Sequence, residues 1–323
     1  MMIGVSTKIE KGKYNYILFY RSVIRRIKRS IYRVKKGQKD KDIINQDIEN
    51  EFNYLKNLID YNEQYQSRLL ENDITCRYPD IRCYKDNYVK ISSPHEVINA
   101  SWIHLPYENS FISAQAPLYN TIDDFWTMCF EYDIKIIIML CNLEENGKEK
   151  CVEYWENKKN NILSVDASIL SNFDIAYTTE ILNEDIIIRN IKITKTLGNE
   201  KQTEKNIKQI HYRSWPVHQS LDINKFYGNI LFMFNLVDNE IGHNPICVHC
   251  SAGVGRTGTF IALYNLYRDI LNQLHDDKIN KINICILNLV RKMKEMRMHL
   301  VERKEQYKLI YEFVSKFLQD RNK

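Results

Sequence analysis

The decapeptide His249-Cys250-Ser251-Ala252-Gly253-Val254-Gly255-Arg256-Thr257-Gly258 gathers the residue types that can hold an anion and attack it. Gly253, Gly255 and Gly258 permit backbone angles that side chains resist, so successive N–H groups can turn to one side and form a nest for negative charge. Arg256 offers a planar fork that matches two phosphate oxygens. A free cysteine has a pKa of about 8.5, and a helix N-terminus or a nearby cation lowers it by several units. Cys250, at the mouth of such a nest, would be a thiolate nucleophile directed at phosphorus. A lone cysteine, or a lone glycine-rich turn, would read as the buried end of a strand. Cysteine, glycines, arginine and threonine at this spacing argue for a reactive loop.

The elements around the loop fit that reading. PICVH (245–249) is a short apolar strand, and GTFIALYNLYRDILNQL (258–274) has helical character, so a helix beginning near Thr257 would aim its positive end at the nest. IKIIIML (134–140) is apolar and β-branched, as expected of a strand buried on both faces. DIIIRNIKI (185–193) and IKQIHYR (207–213) read as further strands. INKFYGNILFMFNLV (223–237), with Asp222 as N-cap, INICILNLVRKMKEM (282–296) and EQYKLIYEFVSKFL (305–318) read as helices. Residues 43–70 read as helical, with Ile44, Ile48, Phe52, Leu55 and Ile59 in register. The pattern predicts one α/β domain over residues 43–320, a mixed twisted sheet flanked by helices.

Residues 1–42 read as a basic extension. Within 17–36, Ile17, Tyr20, Ile24, Ile27, Ile31 and Val34 recur at three- and four-residue steps among Arg and Lys, which predicts an amphipathic basic helix. Such a helix either docks on the domain or meets an anionic membrane surface. The net charge of +5 is too small to argue for nucleic acid as a partner. No segment has the length of a transmembrane helix, and a basic stretch directly after YNYILFY (14–20) argues against a signal peptide, so a cytoplasmic protein is expected. Among the eight cysteines no C-x-x-C pair recurs at zinc spacing. Cys129 and Cys141 lie in apolar runs and read as small buried hydrophobes, and neither metal nor cofactor is expected.

Cys250–Gly258 closely resembles the phosphate loop of tyrosine-specific protein phosphatases, and the resemblance extends over roughly residues 70–318. CRYPDIRCYKDNYVKI (76–91) is similar to the family's phosphotyrosine-recognition loop. INASWI (98–103), FISAQAPL (111–118), DDFWTMCFE (123–131) and EENGKEKCVEYW (144–155) match family blocks in order. The resemblance implies that Cys250 is the nucleophile and that Ser251, Ala252, Gly253, Val254, Gly255 and Arg256 bind the phosphate. It implies that Tyr78 stacks on the substrate ring, that Asp80 binds the substrate backbone, and that Gln306 lines the site. Glu145 would pair with Arg256, and Lys150 and Trp215 would sit at the mobile acid loop. Thr257 would hydrogen-bond the Cys250 thiolate, and His249 would tune it. The partners implied are phosphotyrosine-containing proteins. The high Ile and Asn content and the divergent N-terminus also resemble tyrosine phosphatases carried by polydnaviruses.

Two positions depart from the family. HYRSWPVHQS (211–220) is similar to the acid loop, but Val217 stands where the family carries the aspartate that protonates the leaving phenolate. A positioned general acid contributes about 10²–10⁴-fold in rate. His218 and Asp222 lie close in sequence and are the groups that could substitute for it. In LVERKEQY (300–307), Glu302 stands where the family carries the glutamine that positions water, and an ionised carboxylate there would repel phosphate or thiolate. Three functions follow. The first is a phosphatase of reduced turnover, working through a Cys250 phosphoenzyme. The second is a substrate-trapping phosphotyrosine-binding module that interferes with signalling. The third is an interaction protein recruited by its basic helix. Intact Cys250 and Arg256 argue against the third.

Overall fold

The computed structural model describes residues 32–35, 45–71, 75–106, 110–156, 173–197, 201–215, 223–240, 242–275 and 281–321. In chain order the elements begin with β1 (Tyr32–Lys35) and α1 (Asn45–Leu55), which runs into a π-helical turn (Lys56–Asp60), then α2 (Glu63–Gln66). The strands β2 (Tyr88–Lys90), β3 (Val97–Ile103) and β4 (Phe111–Ala114) precede α3 (Ile122–Glu131) and β5 (Ile136–Met139). A short hairpin, β6 (Glu144–Glu145) with β7 (Lys148–Glu149), is followed by the long strands β8 (Phe173–Ile181), β9 (Ile186–Leu197) and β10 (Lys201–Tyr212). The chain closes with α4 (Ile223–Glu240), β11 (Ile246–His249), α5 (Gly255–His275), β12 (Lys281–Ile284), α6 (Ile286–Met296) and α7 (Lys304–Arg321).

Eight strands form one mixed sheet in the order β2-β3-β4-β11-β5-β10-β9-β8. Its centre is parallel, with β11 between β4 and β5, and its flanks are antiparallel. All four residues of β11 and of β5 are buried, as their continuous apolar runs predict for strands covered on both faces. Phe234, Phe260, Tyr264 and Phe313 pack together between α4, α5 and α7. Phe125, Trp126 and Tyr154 form a second aromatic cluster, its rings tilted or edge-on to one another.

Two sequence expectations are corrected. Residues 282–296 are not one helix: Ile282 and Ile284 are buried on either side of exposed Asn283, the two-residue period of a strand, and the helix begins at Ile286. Tyr32–Lys35 are not helical but extended, pairing antiparallel with β12 from Tyr32↔Ile284 to Lys35↔Lys281. A strand such as β12 has backbone donors and acceptors to satisfy, and Tyr32–Lys35, in which Tyr32 and Val34 alternate with Arg33 and Lys35, supplies them as readily as it would enter a helix. The rest of the expected basic helix, residues 17–31 and Lys36, lies outside the described residues, as do Ile44 and the N-cap Asp222.

The N-terminal helices are tied to the C-terminal ones. Glu51 accepts hydrogen bonds from Tyr307 Oη at 2.8 Å and Tyr311 Oη at 2.5 Å. Asp60 and Lys294 form a fully buried ion pair at 2.7 Å, their side chains 1% and 0% exposed. Asp60 also accepts from the backbone N–H of His299 at 3.2 Å. Burial opposes the Asp60 charge, but the His299 and Lys294 partners outweigh it and hold the carboxyl below its ordinary value.

Candidate active site

β11 delivers Cys250 to the carboxyl end of the central parallel strands, and α5 starts five residues later, at Gly255. The carbonyls of the intervening loop are held from outside. Ser251 O accepts from Ala116 N at 3.0 Å, and Gly253 O accepts from Ser113 Oγ and from Arg297 Nε, both at 2.9 Å. Ala252 O accepts from Arg297 Nη2 at 3.2 Å, and Val254 O from Val301 N at 3.2 Å. The C=O and N–H of a trans peptide point opposite ways, so these outward carbonyls turn the intervening amides inward, the geometry of an anion nest. Gly253 has φ +67°, and a Cβ there would come within 2.1 Å of Ala114 O. No other residue fits that turn. The 21-residue α5 contributes its positive end at the same place.

Arg256 lies in the first turn of α5, buried, with both guanidinium branches on Glu145: Nη1 to Oε1 at 2.6 Å and Nη2 to Oε2 at 2.9 Å. Nη1 also donates to Trp215 O at 3.4 Å. Burial works against the Arg256 charge, but the Glu145 hydrogen bonds and the field of Cys250 overcome it and raise its pKa above the ordinary arginine value. Glu145 is fixed in turn by Asn142 N at 3.1 Å, and Trp215 is packed edge-on against Phe226.

Behind the loop runs a directional chain of hydrogen bonds. Gln209 Nε2 donates to Tyr154 Oη at 2.7 Å, so the Tyr154 hydrogen goes to His249 Nε2, also at 2.7 Å. His249 Nδ1 then carries the proton and donates to Cys250 O at 3.2 Å. Sequence reasoning places His249 beside the thiol, and in the structure its bond goes to the Cys250 carbonyl. The bond expected from Thr257 to the Cys250 sulfur is not made: the Thr257 hydroxyl is buried and has no partner. Its helical position in α5 keeps it against the core, wholly inaccessible.

At the mouth, Tyr78 Oη donates to Ser251 Oγ at 2.9 Å, and Ser251 Oγ donates to Lys150 O at 3.0 Å. Asp80 is exposed two residues on. Gln306 accepts from Arg303 N at 3.0 Å through Oε1. Gln306 and Glu302 both reach Gly255: a Cβ there would meet Gln306 Nε2 at 2.8 Å and Glu302 Oε2 at 3.1 Å. The fold thus brings Cys250, Arg256, Glu145, Tyr78, Gln306 and Glu302 around one loop. Val217, His218 and the rest of 216–222 lie outside the described residues, so the position of Lys150 relative to the acid loop does too.

The model of the protein-tyrosine phosphatase family matches residues 72–316. The chain belongs to the protein-tyrosine phosphatase family. It is 34% identical over 275 residues to tyrosine-protein phosphatase 69D of Drosophila melanogaster, an alignment covering 81% of this chain and 17% of that protein. It is 33% identical over 258 residues to human tyrosine-protein phosphatase non-receptor type 12, covering 77% and 31%. The chain therefore spans well under two thirds of these relatives' length. Among solved structures, a PTPN18 chain studied for its fingerprint on HER2 tyrosine phosphorylation sites superposes with TM-score 0.70 at 25% identity, covering 84% of this chain and 95% of that one. PTPN18 in complex with HER2 phosphopeptides superposes with TM-score 0.69 at 26% identity, covering 83% and 98%. These relatives establish the family.

One residue that shapes this phosphatase loop gives no signal in sequence. Arg297, at the end of α6, is wholly buried and spends its donors on Ala252 O, Gly253 O, Asn99 Oδ1 at 2.7 Å and Ser101 Oγ at 3.2 Å. In KEMRMHL it looks like one more solvated cation of a basic helix.

Proposed function

We propose that this protein-tyrosine phosphatase-like chain binds phosphotyrosine proteins through the Cys250–Arg256 loop and turns them over slowly. One observation carries the reading. The guanidinium of Arg256 is locked by both oxygens of Glu145 at the positive end of α5, while the acid position of the same sequence is Val217. A preoriented fork, inward amides and a buried thiol are what a phosphate dianion needs for capture and for attack by sulfur. In the first step, Cys250 Sγ bonds to phosphorus as the phosphorus–phenolate bond breaks. Valine can give the leaving oxygen no proton. In the second, water attacks the phosphocysteine, and Glu302 stands where a neutral amide would hold that water. Capture is kept, and both chemical steps are slowed. At the limit of no turnover the same site is a substrate trap in host or cellular signalling.

The reading puts the protein in the cytoplasm, where phosphotyrosine proteins reside, with an anionic membrane surface as the partner of the basic sequence 17–31. The test is retention of a phosphotyrosine peptide, combined with pre-steady-state turnover. The parent should retain the peptide, vanadate should compete, and phenolate release from phosphotyrosine should be slow from the first turnover, whereas an aryl phosphate with a low-pKa leaving group should show a burst before its steady state. Arg256→Ala should lose retention. An Arg256→Ala protein that binds as tightly as the parent refutes the pocket, and steady-state phosphotyrosine turnover typical of the family refutes the slow chemistry.

A further inference from the structure

A second group of reactive side chains lies behind the loop, not at its mouth. Cys141 follows β5, Cys151 follows β7 and His249 ends β11, and one ligand atom from each lies within 4.8 Å of the other two. Their exposures are 1%, 2% and 0%. We infer that Cys141, Cys151 and His249 form a binding site for a thiophilic d10 metal ion, zinc or cuprous copper, directly beneath the phosphate loop.

Two sulfurs and one imidazole nitrogen are the soft donor set that such ions select. With zinc–sulfur near 2.3 Å and zinc–nitrogen near 2.0–2.1 Å, donors around one ion stand about 3.5–3.8 Å apart, so these three need to close by at most about an ångström. Binding displaces one proton from each thiol. Two thiolates neutralise a zinc ion outright. With a cuprous ion one negative charge is left, in reach of the Arg256 guanidinium, and three donors complete its coordination. Buried thiols ordinarily pack as small hydrophobes, as Cys129 and Cys247 do here. Cys141 and Cys151 differ because an imidazole nitrogen lies within 4.8 Å of both sulfurs.

Occupancy is coupled to the loop. Both His249 nitrogens are engaged, Nε2 with Tyr154 Oη and Nδ1 with Cys250 O. The ion must replace one of those bonds, and either change reaches the strand end that carries Cys250. An ion on Nδ1 takes the donor away from the Cys250 carbonyl and loosens the loop, so metal and phosphate oppose one another, each weakening the other by the same factor.

The full-length reduced protein is titrated anaerobically with zinc against a chromophoric chelator, and with cuprous ion buffered by bicinchoninate. One equivalent of at least one ion should bind, with two sulfur neighbours and one nitrogen neighbour by X-ray absorption. Cys141→Ser and Cys151→Ser should each weaken it at least tenfold, whereas Cys247→Ser and Cys250→Ser should not. Loading the parent should lower phosphopeptide retention, and the same metal should leave retention by Cys141→Ser unchanged. The inference is overturned if neither ion binds, if Cys141→Ser binds as tightly as the parent, or if Cys250→Ser removes the site. Should Cys141→Ser not fold, Cys141→Ala serves in its place, and an absorption spectrum of the loaded parent without two sulfur neighbours overturns the inference by itself.

Discussion

Asp60→Asn is the sharpest test of how the phosphate loop is held from a distance. The substitution keeps the shape of the side chain and an acceptor for His299 N, but strands the Lys294 ammonium, which is 0% exposed and meets Asp60 at 2.7 Å. Breaking a buried pair from one side costs about 3–5 kcal/mol. At about 2–4 °C per kcal/mol for a domain of this size, the melting temperature should fall by roughly 6–20 °C. The loss should reach the site, because the segment that Asp60 anchors also carries Arg297 and Val301, whose bonds turn Ala252, Gly253 and Val254 outward. Vanadate affinity should drop with stability. Adding Lys294→Met removes the stranded charge and should recover most of both, since an apolar replacement of a buried pair is often neutral. Differential scanning calorimetry and vanadate titration read the two effects. An Asp60→Asn protein melting within 2 °C of the parent, or a double variant no better than the single, refutes the reasoning. The Asp60 contribution is present above the ordinary aspartate value and lost as pH falls through its lower folded value, so the gap between parent and variant should narrow only in strong acid.

Val217→Asp should raise phosphotyrosine turnover by about one to several decades with little change in binding, and Glu302→Gln added to it should raise turnover further, both read by steady-state kinetics. An activated aryl phosphate with a low-pKa leaving group should be cleaved far faster than phosphotyrosine by the parent, because it needs no proton from the missing acid. Burial pushes His211 down to about 3 and keeps it neutral, donating to Cys141 O from Nε2. Its stabilising contribution is complete above about 6.5 and lost as pH falls toward 3, by up to about 1.4 kcal/mol per pH unit, a slope that His211→Gln should remove in denaturant titrations. Deleting residues 1–31, which leaves β1 in place, should weaken binding to anionic vesicles and leave phosphopeptide retention unchanged.

The site was legible where a local pattern and a chemical need coincide. Strand, glycines, Arg256 and helix follow one another without a gap, so the loop could be read directly from residues 245–274. Glu145 was legible only through the family resemblance, because nothing local pairs it with Arg256, which lies on another element. Arg297, Asp60 and Lys294 were hidden for a different reason. Each sits in a charged, helix-like stretch where exposure is the ordinary outcome, and only the tertiary arrangement shows them buried and satisfied. The misreadings at 32–35 and 282–284 share a cause. Isoleucine, valine and tyrosine spaced among polar residues fit either period over three or four positions, and the pairing of the two segments with each other decided the matter.

The Asp60–Lys294 pair also sets an order of events during synthesis. Its members are 234 residues apart, and at about 5–20 residues per second the ribosome adds Lys294 roughly 10–50 s after Asp60. Throughout that interval the leading helical segment has emerged without the ammonium that neutralises it or the tyrosines that hold Glu51. This early helical segment is thus among the last parts of the domain to dock, and a nascent chain stalled anywhere before residue 294 carries an exposed carboxylate and an apolar helix face with no place to bury them. Such a chain is a substrate for chaperones, and how much of the protein a cell accumulates will depend on how well that waiting segment is shielded.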